Sequence, residues 1–341
     1  MTSSVIGAGL AMTAGTAVGL SIAPIKLMSQ YKFEHWAFVH ALVALVALPW
    51  GLAFALCPDL SDALHALPFA VYLKANLWSL AWGVANVLCG LCFVRIGMSL
   101  TMGILTGVGL PVGILLPMGV KGSGQFADAP ALFSRVGLEL MGLTLLLVVA
   151  VVWMAQAGYG RERVLGCGAR TGGSFLVGLA MAVASGVLQA GLSFAFVYSQ
   201  GPLTEALAVR GANGAGAVAA VWAVTLPGGA AVNALFPLWL MSRRRNGAVL
   251  LSVRDFCLCV VRAALFVGFL VCMGSGMRMM GALGASLGFG LYQGFQIVSA
   301  RGVGIVAGEW HCVPRRIGCR MVAAVILLLA AVFAMAFLRV E

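Results

Sequence analysis

The 341 residues are 62% hydrophobic and only 9% charged, with a formal charge of +11 at pH 7. An ordinary soluble domain carries about 25% charged residues, so a water-facing globular enzyme or binding domain is excluded. Strands alternating as in a membrane barrel are absent from the sequence, whereas runs of roughly 20 apolar residues, enough to cross a bilayer as a helix, recur throughout.

Ten such runs follow in chain order: 5–24, 36–56, 72–94, 97–119, 136–156, 172–198, 214–241, 256–277, 280–306 and 317–338. They predict an all-α integral membrane protein of ten transmembrane helices. The opening "MTSSVIGAGLAMTAGTAVGL" has no basic start and no clear small-residue cleavage site, so it reads as the first span and not as a removable signal peptide. At the head of span two stand Glu34 and, one turn into the span, His40, a side chain that titrates near neutral pH. Span three places Trp78, Trp82, Asn86, Cys89 and Phe93 on one narrow helical face. Rings beside an amide suit a sugar, the ring covering its apolar face and the amide bonding its hydroxyls.

Span four contains "GILTGVGLPVG" (103–113) and span nine contains "GASLGFGLYQG" (284–294), with four glycines at the same offsets. In span nine the glycines fall on one side and Tyr292, Gln293, Gln296 and Ser299 on the other. Small residues let a neighbouring helix approach, while amides are costly against lipid unless they face the interior. Span six carries Ser185, Gln189, Ser193, Phe196 and Gln200 as a third polar stripe. Such stripes serve either as glue between helices or as the lining of a solute path, and three of them together favour the path.

Ionisable residues avoid the span centres. Glu34, Glu139, Glu205, Asp255 and Glu309 all sit at or near helix ends, where a solvated carboxylate is the expectation, and Arg262 enters span eight far enough to snorkel toward the interface. Loops one, three, five, seven and nine hold twelve Lys and Arg (Lys26, Lys32, Arg95, Arg161, Arg163, Arg170, Arg243, Arg244, Arg245, Arg254, Arg315, Arg316). The termini and even loops hold five: Lys121, Arg135, Arg210, Arg278 and Arg339. The basic charge therefore reads as membrane topology with both termini outside the cytoplasm, not as a nucleic-acid footprint. Nine cysteines lie mostly in or beside spans, and "CGLC" (89–92) lacks the strand and helix context of a redox motif. No metal site and no cofactor are expected, and without a nucleotide-binding loop any transport must run on a gradient.

The glycine stretches are 181 residues apart, and "GLAM" at 9–12 returns at 178–181, an offset of 169. Pairing span four with nine and span one with six predicts a duplication, residues 1–171 holding spans one to five and residues 172–341 spans six to ten. Five is odd, so the second copy enters the membrane from the opposite side, giving two inverted five-helix repeats.

Several stretches together resemble the L-rhamnose/proton symporter family, a branch of the drug/metabolite transporter superfamily: "APIKLMSQYKFEHW" to "LPWG" (23–51), "WGVANVLCGLCFVRIGMSLTMGI" (82–104), "SGVLQAGLSFA" (185–195), "GGAAVN" (228–233) and "EWHCVPRR" (309–316). The resemblance implies a multi-pass carrier of the bacterial inner membrane that takes up a sugar, L-rhamnose or a related small polar metabolite, by proton symport with alternating access. It carries over Lys26, Glu34, Trp82, Asn86, Arg95, Ser99 and Ser193 by motif. Span eight departs from the family, since "LFVGFLVCMGSGM" (265–277) is small and aliphatic apart from two Phe. The expected solute contacts are Trp82, Asn86, Gln189, Ser193, Tyr292, Gln293 and Gln296, and the expected proton-coupling residues are Glu34, Lys26 and His40. The expected partners are the sugar, protons and membrane lipid. An exporter of drug-like metabolites is the alternative, and an interfacial membrane enzyme is disfavoured because histidines and carboxylates do not cluster.

Overall fold

A computed structural model describes residues 2–96, 98–119, 130–164, 175–211, 214–281, 284–308, 310–311 and 313–337. Among them there is no strand. The helices are α1 (Thr2–Leu20), α2 (Ala23–Leu27), α3 (Phe33–Leu42), α4 (Leu48–Leu56), α5 (Leu60–His65), α6 (Phe69–Ile96), α7 (Met98–Gly119) and α8 (Arg135–Val164) in the first half. In the second half follow α9 (Phe175–Gln189), α10 (Gly191–Ala208), α11 (Ala215–Thr225), α12 (Pro227–Arg244), α13 (Val253–Met279), α14 (Gly284–Val306) and α15 (Arg315–Ala336).

By length and apolarity eight of these runs are able to cross a membrane, and nine if the bent pair α11 and α12 counts as one span. The helix α14 has the length, 23 residues, but Tyr292, Gln293, Gln296 and Arg301 dilute its apolar character below that of the others. Span six carries a single turn at Ala190 between α9 and α10, within a run, Leu176–Ala208, that is long and apolar enough to cross a membrane.

The chain divides into two compact units, each drawing on both halves of the sequence. Unit 1 comprises residues Met1–Gly19, Ala85–Ala190 and Gly276–Glu341, and unit 2 comprises Leu20–Val84 and Gly191–Ser275. The boundaries at 84/85 and 275/276 fall inside α6 and α13.

In unit 1, α7 packs against α8, α9 and α14. The two glycine stretches meet each other here: a Cβ on Gly113 would strike the Phe289 ring, and Gly290 receives Ile114. The remaining glycines do not make a single smooth face. Gly103 admits Ala155 of α8, Gly109 admits the Gly186 backbone of α9, and Gly294 admits Val332 of α15. A Cβ on Gly15 of α1 would collide with the carbonyl oxygen of Tyr292, so α1 and α14 touch backbone to backbone. Gly9, on the same helix, faces open space.

Unit 2 contains two interrupted spans. The run Phe33–Leu56 passes through a π-turn at Val43–Ala47 just before Pro49, and the run 215–244 bends by 52° just before Pro227. Proline explains both, because it lacks an N–H and its ring crowds the carbonyl four residues back. α11 is buried on every side from Gly216 to Thr225, as its continuous apolar sequence requires. Trp222 anchors it, packing 4.6 Å from Phe196 and donating its indole N–H to Leu270 O at 2.6 Å.

The bend strands backbone groups in an apolar interior, and α6 supplies their partners. Asn76 Nδ2 donates to Val224 O at 3.0 Å, and Asn76 Oδ1 accepts from Gly228 N at 2.7 Å. One turn on, Ser79 Oγ accepts from Gly229 N at 3.0 Å. The motif "GGAAVN" thus has a local cause: a Cβ on Gly228 would meet the Asn76 carbonyl, and one on Gly229 would lie 2.9 Å from the Ser79 carbonyl.

Replacing Asn76 by Ala should lower stability by about 1–3 kcal/mol, the cost of leaving buried backbone donors and acceptors unmet, read as a lowered unfolding temperature in detergent. Gly15→Ala should cost about 1–3 kcal/mol through overpacking. Gly9→Ala, measured beside it, should leave the transition unchanged.

Candidate functional site

Unit 1 gathers the amides that the sequence singles out. Antiparallel to the second half of α6 runs α9, held by Ser185 Oγ donating to Ala85 O at 2.7 Å and by the cluster of Cys92, Ile96 and Ala182. That packing brings Gln189 Nε2 to 3.1 Å from Asn86 Oδ1. The pair uses one donor and one acceptor; Asn86 Nδ2 and Gln189 Oε1 make no further hydrogen bond among the described residues, and both side chains are half-buried. On α14, Tyr292 and Gln293 are buried, and Gln296 presents a sealed Oε1 with no hydrogen-bond partner. Neighbouring Ser299 is spent on structure, donating to Phe295 O at 2.8 Å and filling the gap beside Gly19.

Two expected solute contacts belong to unit 2. Trp82 is buried with its ring against Gly229, and Ser193 has a sealed Oγ lacking a hydrogen-bond partner. Trp78, one turn before Trp82, packs on Phe194 at 5.1 Å and stacks on Tyr198 at 6.4 Å, so its ring serves α10. Arg95 Nη1 lies 3.2 Å from Met181 Sδ. The side chains of Ser99 and Phe93 lie outside the described residues, as do Glu309 and Cys312 of the "EWHCVPRR" stretch.

The coupling candidates all lie in unit 2. Lys26 is exposed in the last turn of α2. Glu34 is fully buried, which corrects the expectation of a solvated end-of-helix carboxylate. Arg244 Nη1 donates to both of its oxygens at 3.0 Å, and Asn246 Nδ2 to Oε1 at 2.8 Å. His35 completes this group: its Nδ1 accepts from Lys32 N at 3.1 Å, so its Nε2 carries the proton donated to Asn246 O at 3.1 Å.

Asp255 corrects the same expectation. It too is fully buried, accepting from the backbone N–H groups of Ser29 at 3.2 Å, Gln30 at 2.7 Å and Tyr31 at 2.8 Å. Tyr31 in turn donates its hydroxyl to Leu250 O at 2.8 Å. Burial first, then Cys259 and Asp255 nearby, raise this phenol above its usual range and keep it a donor. Glu139, in contrast, is a surface group paired to Arg135 at 3.2 Å. Hydropathy gave no warning of the burial of Glu34 and Asp255, because the groups that enclose them come from segments over 200 residues away.

His40 packs edge-on against Phe266 with ring centres 5.0 Å apart, and its Nδ1 is sealed without a hydrogen-bond partner. Arg262 lies over the Trp36 ring at 4.7 Å; Nε and Nη1 are sealed rather than turned out to the interface. Asn76 and Ser79, which repair the bend, and Asn246, which braces Glu34, were not singled out by the sequence, and Asp255 was read there as a solvated group. The signal that could have found the first two is "LPGG" (226–229), which marks the break before Pro227. Among the described residues no cluster of His, Cys, Asp and Glu is arranged to hold a metal.

Comparison with known proteins agrees with this membrane-spanning, amide-bearing chain. The family model described as "L-rhamnose-proton symport protein" matches residues 3–338. An L-rhamnose-proton symporter of Klebsiella pneumoniae subsp. pneumoniae is 31% identical over 229 residues, covering 67% of this chain and 64% of that protein. One from Yersinia pestis bv. Antiqua is 26% identical over 322 residues, covering 88% of this chain and 90% of its own length. A third, from Mannheimia succiniciproducens, is 29% identical over 220 residues, covering 64% of this chain and 62% of that protein. With the family model matched from end to end of the described spans, the chain belongs to the L-rhamnose-proton symport protein family.

Proposed function

We propose that the chain is a secondary active transporter that carries a sugar, L-rhamnose or a related small polar metabolite, across the bacterial inner membrane by proton symport with alternating access. The observation that carries this reading is the unmet hydrogen-bonding capacity inside the helices. Within unit 1, Asn86 Nδ2 and Gln189 Oε1 offer a donor beside an acceptor, and Gln296 Oε1 adds a group without a protein partner among the described residues. A hydroxyl donates and accepts at once, so a polyol satisfies such a set where an apolar solute would leave it stranded. Asn86, Gln189, Tyr292, Gln293 and Gln296 are the solute candidates of unit 1, and Trp82 and Ser193 are those of unit 2. Family membership supports the substrate class and the proton as driving ion.

Ten spans in two inverted repeats, 1–171 and 172–341, remain the proposed plan, and with it a place in the drug/metabolite transporter superfamily. The two glycine stretches pack on one another, and the prolines that follow the breaks, Pro49 and Pro227, are 178 residues apart, between the offsets of the other two echoes. Both termini are assigned to the non-cytoplasmic side from the Lys and Arg count. For proton coupling the candidates are His40, Glu34 and Lys26, of which Glu34 is already bound by Arg244 and Asn246. The second reading, an exporter of drug-like metabolites, predicts resistance to toxic compounds without sugar uptake.

Purified protein in liposomes under an inward proton gradient should accumulate labelled L-rhamnose or a related deoxysugar, and no accumulation with any monosaccharide in a broad panel would refute the proposal. Asn86→Ala and Gln189→Ala should each lower uptake by about tenfold, one hydrogen bond's worth, at unchanged expression. The double variant should fall by less than the product of the two, because the side chains act as one pair.

A further inference from the structure

Unit 2 holds two nitrogen-bearing side chains that neither the solute contacts nor the buried carboxylates use. Trp36 and His40 are one turn apart on α3, and Arg262 and Phe266 are one turn apart on α13. The four interlock in pairs, Arg262 over Trp36 at 4.7 Å and His40 edge-on to Phe266 at 5.0 Å, which sets the guanidinium and the imidazole side by side. Arg262 is nine residues into α13, roughly 14 Å along the helix, well inside an apolar layer about 30 Å thick.

No nitrogen of either side chain makes a hydrogen bond or an ion pair among the described residues, and Arg262 Nε and Nη1 and His40 Nδ1 are sealed from the surface. The carboxylates near them are committed elsewhere. Asp255 is held by three backbone N–H groups, and Glu34 by Arg244 and Asn246. Trp36 stabilises the cation through its ring face but does not neutralise it. Both residues are part-exposed as a whole, which leaves Arg262 Nη2 and His40 Nε2 as the reachable edge.

A guanidinium without a counter-charge at this depth is expensive, and its forked donors match an oxyanion. We infer that Arg262 and His40 form a binding site for the carboxylate of a small solute, so that the chain takes sugar acids as well as, or in place of, neutral sugars. Arg262 would donate to one carboxylate oxygen through its reachable Nη2, and His40 would donate to the other through Nε2. The inference rests on the transport reading for its physiological meaning, but binding tests it without transport.

The experiment is a thermal-shift titration of the full chain in nanodiscs of phosphatidylcholine, with D-glucuronate and L-rhamnonate as acids and L-rhamnose as the neutral control. A bound ligand raises the unfolding temperature by mass action. The acids should stabilise the wild-type chain, and Arg262→Gln should weaken their apparent Kd at least tenfold while leaving any L-rhamnose shift unchanged. Arg262→Lys, which keeps the charge and loses the fork, should fall between, and it remains informative if Arg262→Gln does not fold. Stabilisation by L-rhamnose with none by either acid would overturn the inference and leave the sugar-transport proposal standing. Stabilisation by adding phosphatidylglycerol to the discs, lost in Arg262→Gln, with no effect of the free acids, would assign the site to a lipid headgroup and overturn it too. Acid binding without any flux in liposomes would uphold the site and sink the transport reading.

Discussion

A break in a membrane helix is tolerated only where other groups take over the hydrogen bonds it loses, and the bend at Leu226 sets that requirement on unit 2. Pro227 forces the break, and the amide of Asn76 bridges it, accepting from one side and donating to the other. The fit demands glycine at 228 and 229, since only a bare backbone lets α6 come close enough. From that contact the position of Trp82 against Gly229 follows, and with it the seat of the first half of α6 within its own unit.

Unit 1 follows a different rule. Its helices approach through small residues, with side chains of one inserted where another has none: Phe289 at Gly113, Ile114 at Gly290, Val332 at Gly294. Close packing fixes the helix faces, and the polar groups left over are those that no neighbour can satisfy. The hydrogen bonds separate amides that work as glue, such as Asn76, from amides with hydrogen-bonding groups to spare, such as Asn86, Gln189 and Gln296.

Much of the fold was legible in the sequence, because apolar runs of span length admit few alternatives in a bilayer. The helices occupy the expected runs to within a few residues at most ends, with α8 extending to Val164 and the sixth run continuing to Ala208. The turn at Ala190 carries no proline and was invisible; beside it Gly191 lets the Trp78 carbonyl approach closely. The pairing of Asn86 with Gln189 was readable only as two stripes on two helices, since helical periodicity states which face a residue shares and not which helix meets it. Burial of Glu34 and Asp255 was unreadable for the same reason: a carboxylate beside a loop looks solvated until the loop's partner is known.

The brace around Asp255 has a consequence for biosynthesis. Residues 29–31 receive their acceptor from a side chain more than 220 positions later in the chain. At ribosomal rates of about 5–20 residues per second, roughly 10–45 seconds separate the emergence of that turn from the arrival of its partner. For that interval three backbone N–H groups at the head of the second span must be met by water or headgroups. Insertion of the first helices is therefore uncoupled from the fastening of this turn, which waits for a residue from the C-terminal half of the chain.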